Sequence, residues 1–259
     1  MSHDFTAAPR LTGRRLPFSP GITLATARRV LQQISRDHGS TALMLVIPCM
    51  LMLLLKLMFR DVESTFERVG TQVFGIFPLV VMYLVASVST LRERTSGTAE
   101  RLLTMPVQRL DIVLGYSLAF AFLALLQAVL ATLLAVGPLG LHIKGPAFLL
   151  MVVAMLGALL GLALGLLVSA FARNEFQAVQ FLPAGILPQF LVCGLFVPRD
   201  EMSGALDVLA GMMPMTYAVQ AAREAATHEG VTGVFVRDAV VVLLCVIGVL
   251  MASAATFKR

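Results

Sequence analysis

Long uninterrupted apolar runs dominate this chain and predict membrane-spanning helices. Each run approaches the ~20 residues that a helix needs to cross ~30 Å of hydrocarbon. Backbone polar groups in lipid must find their partners within the segment, so runs of this length are expected to be α-helical. The sequence therefore predicts an all-α integral membrane protein with six transmembrane helices. The predicted spans are 40–59, 72–91, 111–137, 147–171, 178–198 and 238–257.

A helical pattern of polar and apolar positions also precedes the first span and predicts an amphipathic helix over about 22–37. Its apolar positions follow the i, i+3, i+4, i+7 spacing: Ala27, Val30, Leu31 and Ile34. Basic and amide side chains lie off this stripe, which suits either a helix on the bilayer surface or a simple positive anchor. The predicted organisation is a cytoplasmic tail, 1–38, and a six-span transmembrane domain, 39–259.

Composition and charge narrow the class of protein. Hydrophobic residues make up 58% of the 259 positions, charged residues 14%, and the mean hydropathy is +0.87, values that exclude an ordinary soluble domain. The net charge is +5, but the basic residues flank apolar spans instead of forming one patch, so no nucleic-acid partner is expected. Cys49, Cys193 and Cys245 lie inside apolar runs and are expected to be small buried hydrophobes.

The distribution of basic residues predicts the orientation of the spans. If the N-terminus is cytoplasmic, thirteen of the 20 lysines and arginines fall on cytoplasmic segments and seven on outer ones. The positive-inside rule therefore predicts that both termini are cytoplasmic. Segment 60–71 is predicted as a short outer loop, and 199–237 is a stretch of mixed polarity on the same side.

No motif in the sequence indicates an energy source for transport within this chain. The P-loop pattern GxxxxGK[ST] is absent from the chain, and spans two to six are expected to hold no ionisable groups, which proton-coupled carriers need at depth. No nucleophile–base pair or metal-binding carboxylates are expected there either, so an enzyme is not predicted. The energy for transport would have to come from a partner. A secondary carrier or channel without an ATPase partner is the alternative.

The largest cytoplasmic loop, 92–110, is predicted to contain a short helix. Thr98 is a suitable N-cap, Glu100 lies in the first turn, where a carboxylate favours the helix dipole, and Pro106 stops the helix. The loop is either a docking surface for a partner or a connector that only satisfies its own backbone.

These residues resemble the permease subunits of ABC-2 type ATP-binding-cassette exporters, nearest to the drug-exporter branch. The resemblance lies in the order of four motifs: Arg92-Glu93-Arg94 followed by Gly97-Thr98-x-Glu100-Arg101-Leu102-Leu103-x-x-Pro106, Phe171-Ala172-Arg173-Asn174-Glu175, Gly194-Leu195-Phe196-Val197-Pro198, and Pro214-Met215-Thr216-Tyr217.

The resemblance implies how such a protein would work. Two permease subunits, of the same or a related chain, would pair in the bacterial inner membrane among its lipids. Each would dock a separate ATP-binding subunit, so that ATP and Mg²⁺ belong to the partner. Nucleotide-driven closure would switch the cavity between inward- and outward-facing states and move an amphiphilic or hydrophobic substrate out of the cell. Segment 199–237 would form short re-entrant helices at the outer face.

The candidate site residues fall into three groups, with no catalytic residue and no metal ligand among them. The residues predicted to couple to the ATPase subunit are Arg92, Glu93, Arg94, Gly97, Thr98, Glu100, Arg101, Leu103 and Pro106, with Arg28 and Arg29 of the amphipathic helix. The predicted substrate path contains Tyr83, Ser87, Phe181, Gln189 and Phe190. Pro183 and Pro188 are predicted to kink span five.

A ridge of small residues in span four (Gly157, Gly161, Gly165 and Ser169) is interpreted as tight packing within one subunit rather than as a dimer seam.

Overall fold

The computed structural model of the chain describes residues 19–95 and 109–256, which form α-helices and no strand. The first part contains α1 (Pro20–Arg36), α2 (His38–Met58), α3 (Glu63–Phe74), α4 (Phe77–Thr95) and α5 (Arg109–Val136). The second part contains α6 (Ala147–Phe171), α7 (Glu175–Val192), α8 (Gly204–Met212), α9 (Pro214–Thr227) and α10 (Gly233–Thr256), with a 3₁₀ turn at Arg199–Glu201. The predicted all-α class is confirmed.

Four helical segments of the described residues are long and apolar enough to cross a membrane: Glu63–Arg94, Asp111–Val136, Ala147–Phe171 and Gly233–Thr256. They correspond to the predicted spans two, three, four and six. Helix α2 contributes a shorter apolar segment, Met44–Met58, and α7 carries two prolines within its length. The count of six spans and their orientation therefore stay predictions.

Segment 60–71 is largely helical, so its prediction as a short loop was wrong. Helix α3 begins at Glu63 and leads into α4 through a bend at Gly75 and Ile76. Phe66, Gly70 and Val73 follow helical spacing and are buried, which gives this segment an apolar stripe of its own. Its carboxylates, Glu63 and Glu67, are not buried, and they disguise the pattern in the sequence.

The small-residue ridge of α6 packs directly against the backbone of α4, which confirms the interpretation of packing within one subunit. A Cβ atom at Gly157 would lie 2.9 Å from the carbonyl oxygen of Gly75, and one at Gly165 would lie 2.7 Å from that of Tyr83. Gly161, between them, faces the carbonyl of Leu79 even more closely. Because the partner carbonyls also recur every four residues, the two helices meet along a continuous seam.

Helix α1 confirms the predicted amphipathic helix and lies against α5. Its buried residues are Thr26, Ala27, Val30 and Ile34, with Leu31 partly buried beside them. The approach is close at Gly115, where a Cβ atom would lie 2.6 Å from the Cβ of Thr26. The apolar stripe therefore packs on protein.

Segment 199–237 contains the helices α8 and α9, and α9 packs against α10, α6 and α3. The buried face of α9 is rich in alanine and runs from Met215 to Ala225. A Cβ atom at Gly75 would lie 2.9 Å from the carbonyl oxygen of Ala218, so the bend between α3 and α4 rests on α9. The re-entrant placement of this segment in a membrane stays a prediction.

The bundle has two chemically distinct ends. We call the end that contains α1, the last turn of α4 and the first turns of α5 and α7 the α1 end. The opposite end, where α3, the α5–α6 connection and α9 meet, is the α9 end. Helices α4 and α5 both run between these two ends.

Candidate functional site

The last turn of α4 connects three other helices through three consecutive side chains. Successive residues of an α-helix point about 100° apart, so Arg92, Glu93 and Arg94 leave the helix in different directions. Arg92 reaches Glu175 on α7, Glu93 reaches Arg29 on α1, and Arg94 reaches the carbonyl of Ser169 on α6. This predicted coupling motif therefore holds the α1 end together.

Glu93 and Arg29 form a largely buried ion pair between α4 and α1. The Nη2–Oε2 distance is 3.1 Å, and only 7% of the Glu93 side chain is exposed. The same nitrogen of Arg29 donates to the Tyr116 hydroxyl of α5 at 3.3 Å. The guanidinium thus joins α1, α4 and α5, and the carboxylate of Glu93 presents little surface to another protein.

Arg92 and Glu175 form a bidentate pair on the surface. The Nε–Oε1 distance is 3.0 Å and the Nη2–Oε2 distance is 3.2 Å. The hydrogen bond from Arg92 holds the pKa of the Glu175 carboxyl below its usual value. Asn174 caps α7 by accepting from the backbone N–H of Gln177 at 2.8 Å, which fixes the start of the helix that carries Glu175.

Arg94 lies at the end of α6, where its guanidinium donates to the Ser169 carbonyl. The last carbonyls of a helix lack intrahelical partners, and a nearby cation also favours the negative end of the helix dipole. Ser169 is fully buried and extends the glycine seam between α4 and α6. Arg94 therefore closes that seam at the α1 end.

Asp111 is a structural residue of this site that the sequence interpretation missed. Its Oδ1 accepts from the backbone N–H of Ser19 at 2.6 Å and from the Thr23 hydroxyl at 3.2 Å. The first N–H groups of a helix have no partner within it, and Ser19 makes no side-chain cap of its own. Asp111 of α5 thus binds the amino-terminal end of α1 from a neighbouring helix.

Asp111 and Asp238 also correct the expectation of uncharged spans. The predicted spans 111–137 and 238–257 begin on these residues, and both are fully buried. Asp238 accepts from the Nε of Arg237 at 2.9 Å. Each carboxylate is tolerated because it lies near a helix end and has a hydrogen-bond donor within reach. The sequence signal for these buried charges was the acidic residue at the start of each apolar run.

Of the remaining residues predicted to couple to the ATPase subunit, one is exposed and the others lie outside the described part of the chain. Arg28 is exposed on the face of α1 away from the buried stripe. The other predicted residues of the loop, Gly97, Thr98, Glu100, Arg101, Leu103 and Pro106, lie outside the residues that the structure describes.

Most residues of the predicted substrate path pack within the chain. The Tyr83 hydroxyl donates to the Ala178 carbonyl at 3.0 Å and so joins α4 to α7. Ser87 is buried and donates to the Leu84 carbonyl at 3.2 Å, and the Gln189 amide donates to the Gly185 carbonyl at 3.0 Å. These three donors thus have acceptors inside the bundle, whereas the Oε1 of Gln189 is buried with no partner among the described residues.

The aromatic residues of that path lie on α7, which continues through both of its prolines. Phe190 meets Phe196 edge-on at 5.4 Å between ring centroids, and Phe181 is 38% exposed. Helix α7 runs unbroken from Glu175 to Val192 across Pro183 and Pro188.

An apolar groove that no single segment of the sequence reveals lies between α2 and α4. Its volume is about 280 Å³, and its lining includes Met44, Ile47, Val81 and Leu84. Arg92 is the basic residue of this lining. The groove therefore combines an apolar surface with a cation at the α1 end.

Comparison with known proteins identifies the family. The family model of the ABC-2 type transporter matches residues 23–226. The chain is 30% identical over 145 residues to the probable multidrug ABC transporter permease YbhS of Escherichia coli, covering 56% of this chain and 38% of that protein. It is 26% identical to the linearmycin resistance permease protein LnrN of Bacillus subtilis, over 70% of this chain and 45% of LnrN.

A third relative is matched over most of its length. The probable doxorubicin resistance ABC transporter permease protein DrrC of Mycobacterium tuberculosis is 24% identical over 213 residues, which cover 78% of this chain and 75% of DrrC. The chain spans less than half the length of YbhS and LnrN. The family match includes α1, the last turn of α4 and α9, the elements described above. The chain belongs to the ABC-2 type transporter family.

Proposed function

We propose that this chain is the permease subunit of an ATP-driven exporter and moves an amphiphilic or hydrophobic substrate out of the cell. The observation that carries the proposal is the buried Arg29–Glu93 pair, which ties an amphipathic helix at the surface of the bundle to an apolar helix in its core. The relatives named as multidrug and drug-resistance permeases support the substrate class.

The energy would enter through the exposed side of α1 and the predicted loop 92–110. Two separate ATPase subunits, holding ATP and Mg²⁺, would each press on one permease, with Arg28, Glu100 and Arg101 at the contact. Arg29 and Glu93 would then transmit the displacement of α1 to α4. Because α4 packs backbone to backbone on α6, those two helices would move together.

The groove between α2 and α4 supports an amphiphilic substrate. Its walls are aliphatic and aromatic, so they would take up an apolar body, and Arg92 would face a polar or anionic head. Arg92 already binds Glu175, and a substrate that competes for it would loosen the contact between α4 and α7. Substrate binding at Arg92 and the ATPase displacement transmitted through Glu93 would thereby act on the same turn of α4.

The complete transporter would contain a second permease. Helix α7 exposes large apolar side chains, among them Phe176 at 71%, Leu187 at 53% and Leu191 at 58%. Such a surface suits lipid or another apolar helix. We place the assembly in the bacterial inner membrane with six spans per permease and both termini in the cytoplasm.

The proposal is tested by searching the reading frames beside this one for an ATPase that carries a P-loop, and by co-purification and reconstitution of the chain with that protein. ATP-dependent efflux of doxorubicin from proteoliposomes is expected only when both proteins are present. Efflux that persists without the ATPase and follows an ion gradient would instead support a secondary carrier.

The interface assignment is tested separately with charge reversals. Glu100→Arg and Arg28→Glu are expected to reduce recovery of the ATPase from detergent and to lower ATP-dependent efflux. Arg60→Glu, an exposed change at the α9 end, is the matched control and should alter neither. Unchanged recovery with Glu100→Arg would remove that residue from the interface.

A further inference from the structure

Three cations from separate parts of the chain line one cavity at the α9 end. The cavity has a volume of about 440 Å³, and its lining includes Arg68 of α3, Lys144 of the α5–α6 connection and Arg223 of α9. They are 76 or more positions apart in the sequence, so the charges converge only in the folded chain. Like charges that converge in this way raise the local concentration of anions.

Glu67 and Glu224, the carboxylates in the linings of this cavity and the adjoining one, have partners. Glu67 faces the His142 ring at 3.4 Å. Glu224, in an adjoining cavity of about 390 Å³ that shares Arg223, accepts from the Thr232 hydroxyl at 2.9 Å. Among the residues that the structure describes, no carboxylate lies within 4.0 Å of the charged groups of Arg68, Lys144 or Arg223. Glu67 also lines the cavity, so its three cations face one carboxylate and leave a net positive charge.

The backbone around the cavity is fixed by close packing. The N–H of Lys144 donates to the Ala226 carbonyl of α9 at 2.8 Å. A Cβ atom at Gly145 would lie 2.7 Å from the His228 carbonyl and closer still to that of Ala225, so only glycine allows this approach. The connection that carries Lys144 is thus held against the helix that carries Arg223, and the positions of these two cations are set before any ligand arrives.

We propose that this cavity binds a phosphate-bearing anion. Guanidinium groups bind phosphate oxygens in a bidentate manner, and an ammonium group adds a point charge. The hydroxyl group of Ser64 in the same lining supplies a neutral donor. A phosphate is therefore matched by both charge and hydrogen bonding. The ligand is either the headgroup of an anionic phospholipid or a free phosphate, and the site lies at the end of the bundle opposite the proposed ATPase contact.

Native mass spectrometry and thermal unfolding of the full chain in detergent test this site. Phosphatidylglycerol is the anionic probe, phosphatidylcholine the zwitterionic control, and inorganic phosphate the soluble probe. Arg68→Gln, Lys144→Gln and Arg223→Gln change exposed side chains, so the fold is expected to survive. Each is expected to weaken phosphatidylglycerol binding about fivefold at low salt, since one cation near a lipid surface is worth about 1 kcal/mol. Arg60→Gln, an exposed cation outside the cavity, should leave binding unchanged.

The two sources of phosphate give different results. Binding of phosphatidylglycerol that inorganic phosphate does not displace supports a lipid headgroup. Stabilisation by millimolar inorganic phosphate alone supports a free phosphate if it is lost in the triple variant, which combines Arg68→Gln, Lys144→Gln and Arg223→Gln. Equal binding of both lipids by wild type and triple variant, or an equal loss in Arg60→Gln, would overturn the proposal. Circular dichroism and gel filtration of each variant establish that a loss of binding is not a loss of fold.

Discussion

The charged residues around Glu93 at one end of the bundle and those around the 440 Å³ cavity at the other differ in burial and in pairing. At the α1 end, Glu93 and Asp111 are buried and hold α1 against the core through Arg29 and Ser19. At the α9 end, the cations around the 440 Å³ cavity are exposed and have no carboxylate partner among the described residues. Paired and buried charges position helices, whereas exposed and unpaired ones are available to a ligand. The contrast indicates a mechanical role for the buried pairs of the first end and a binding role for the open cavity of the second.

The largest effect is expected from breaking the buried pair at the α1 end. Glu93→Ala should lower the free energy of unfolding by about 3 kcal/mol, because it leaves the Arg29 guanidinium without its carboxylate. Thermal unfolding in detergent measures the loss. Glu175→Ala removes the partner of the neighbouring Arg92 at an exposed site and should cost less than 1 kcal/mol. Equal losses in the two variants would contradict the assignment of a mechanical role to Glu93.

The seam that joins the two ends is the next target. Gly161→Ala should destabilise the fold by about 2 kcal/mol, because the added methyl group meets the Leu79 carbonyl and forces α4 and α6 apart. Gly248→Ala is the matched control, since a Cβ atom there meets nothing within 4 Å and alanine favours a helix. Thermal unfolding of both variants in detergent measures the difference in stability. A destabilisation by the control as large as that of Gly161→Ala would show that close approach is not the cause.

A smaller effect is expected at Asp111. Asp111→Ala should cost about 1.5 kcal/mol, since a charged acceptor is removed from the Ser19 N–H and from the positive end of α1. Hydrogen exchange should rise first in α1, because the loss is local to its amino terminus. Asp61→Ala, at an exposed carboxylate of the opposite end, should leave that exchange unchanged. A rise in hydrogen exchange that is uniform across all helices would mean that Asp111 stabilises other helices besides α1.

The smallest effect concerns the surface pair and depends on pH. Arg92 lowers the folded-state pKa of Glu175, so the pair adds stability above the unfolded value of about 4.5 and loses it as the pH falls through the folded value. The difference in unfolding free energy between wild type and Arg92→Gln should be about 0.5 kcal/mol near neutral pH. It should vanish in strong acid. A difference that grows on acidification would contradict the pairing.

The sequence predicted the helix α1 well because its apolar positions fit helical spacing. Helical spacing from Ala27 to Ile34 needs no knowledge of the rest of the fold, and all these positions are buried or partly buried. Helix α3 was missed because its stripe is short and its carboxylates resemble those of a loop. The hydrogen bond from the Tyr83 hydroxyl to the Ala178 carbonyl was not predicted. Spacing along one helix does not reveal which neighbour a side chain meets.

The sequence by itself determined the helical class, the membrane environment and the family resemblance, because hydrophobic length and local motifs are properties of contiguous residues. Only the tertiary structure decided that Glu93 is buried against Arg29, that Asp111 caps a helix 92 positions away, and that Arg68, Lys144 and Arg223 share one cavity. Those pairings depend on how helices cross. The crossing is set by packing between distant segments, such as the glycine seam of α6 on α4, and no local pattern encodes it.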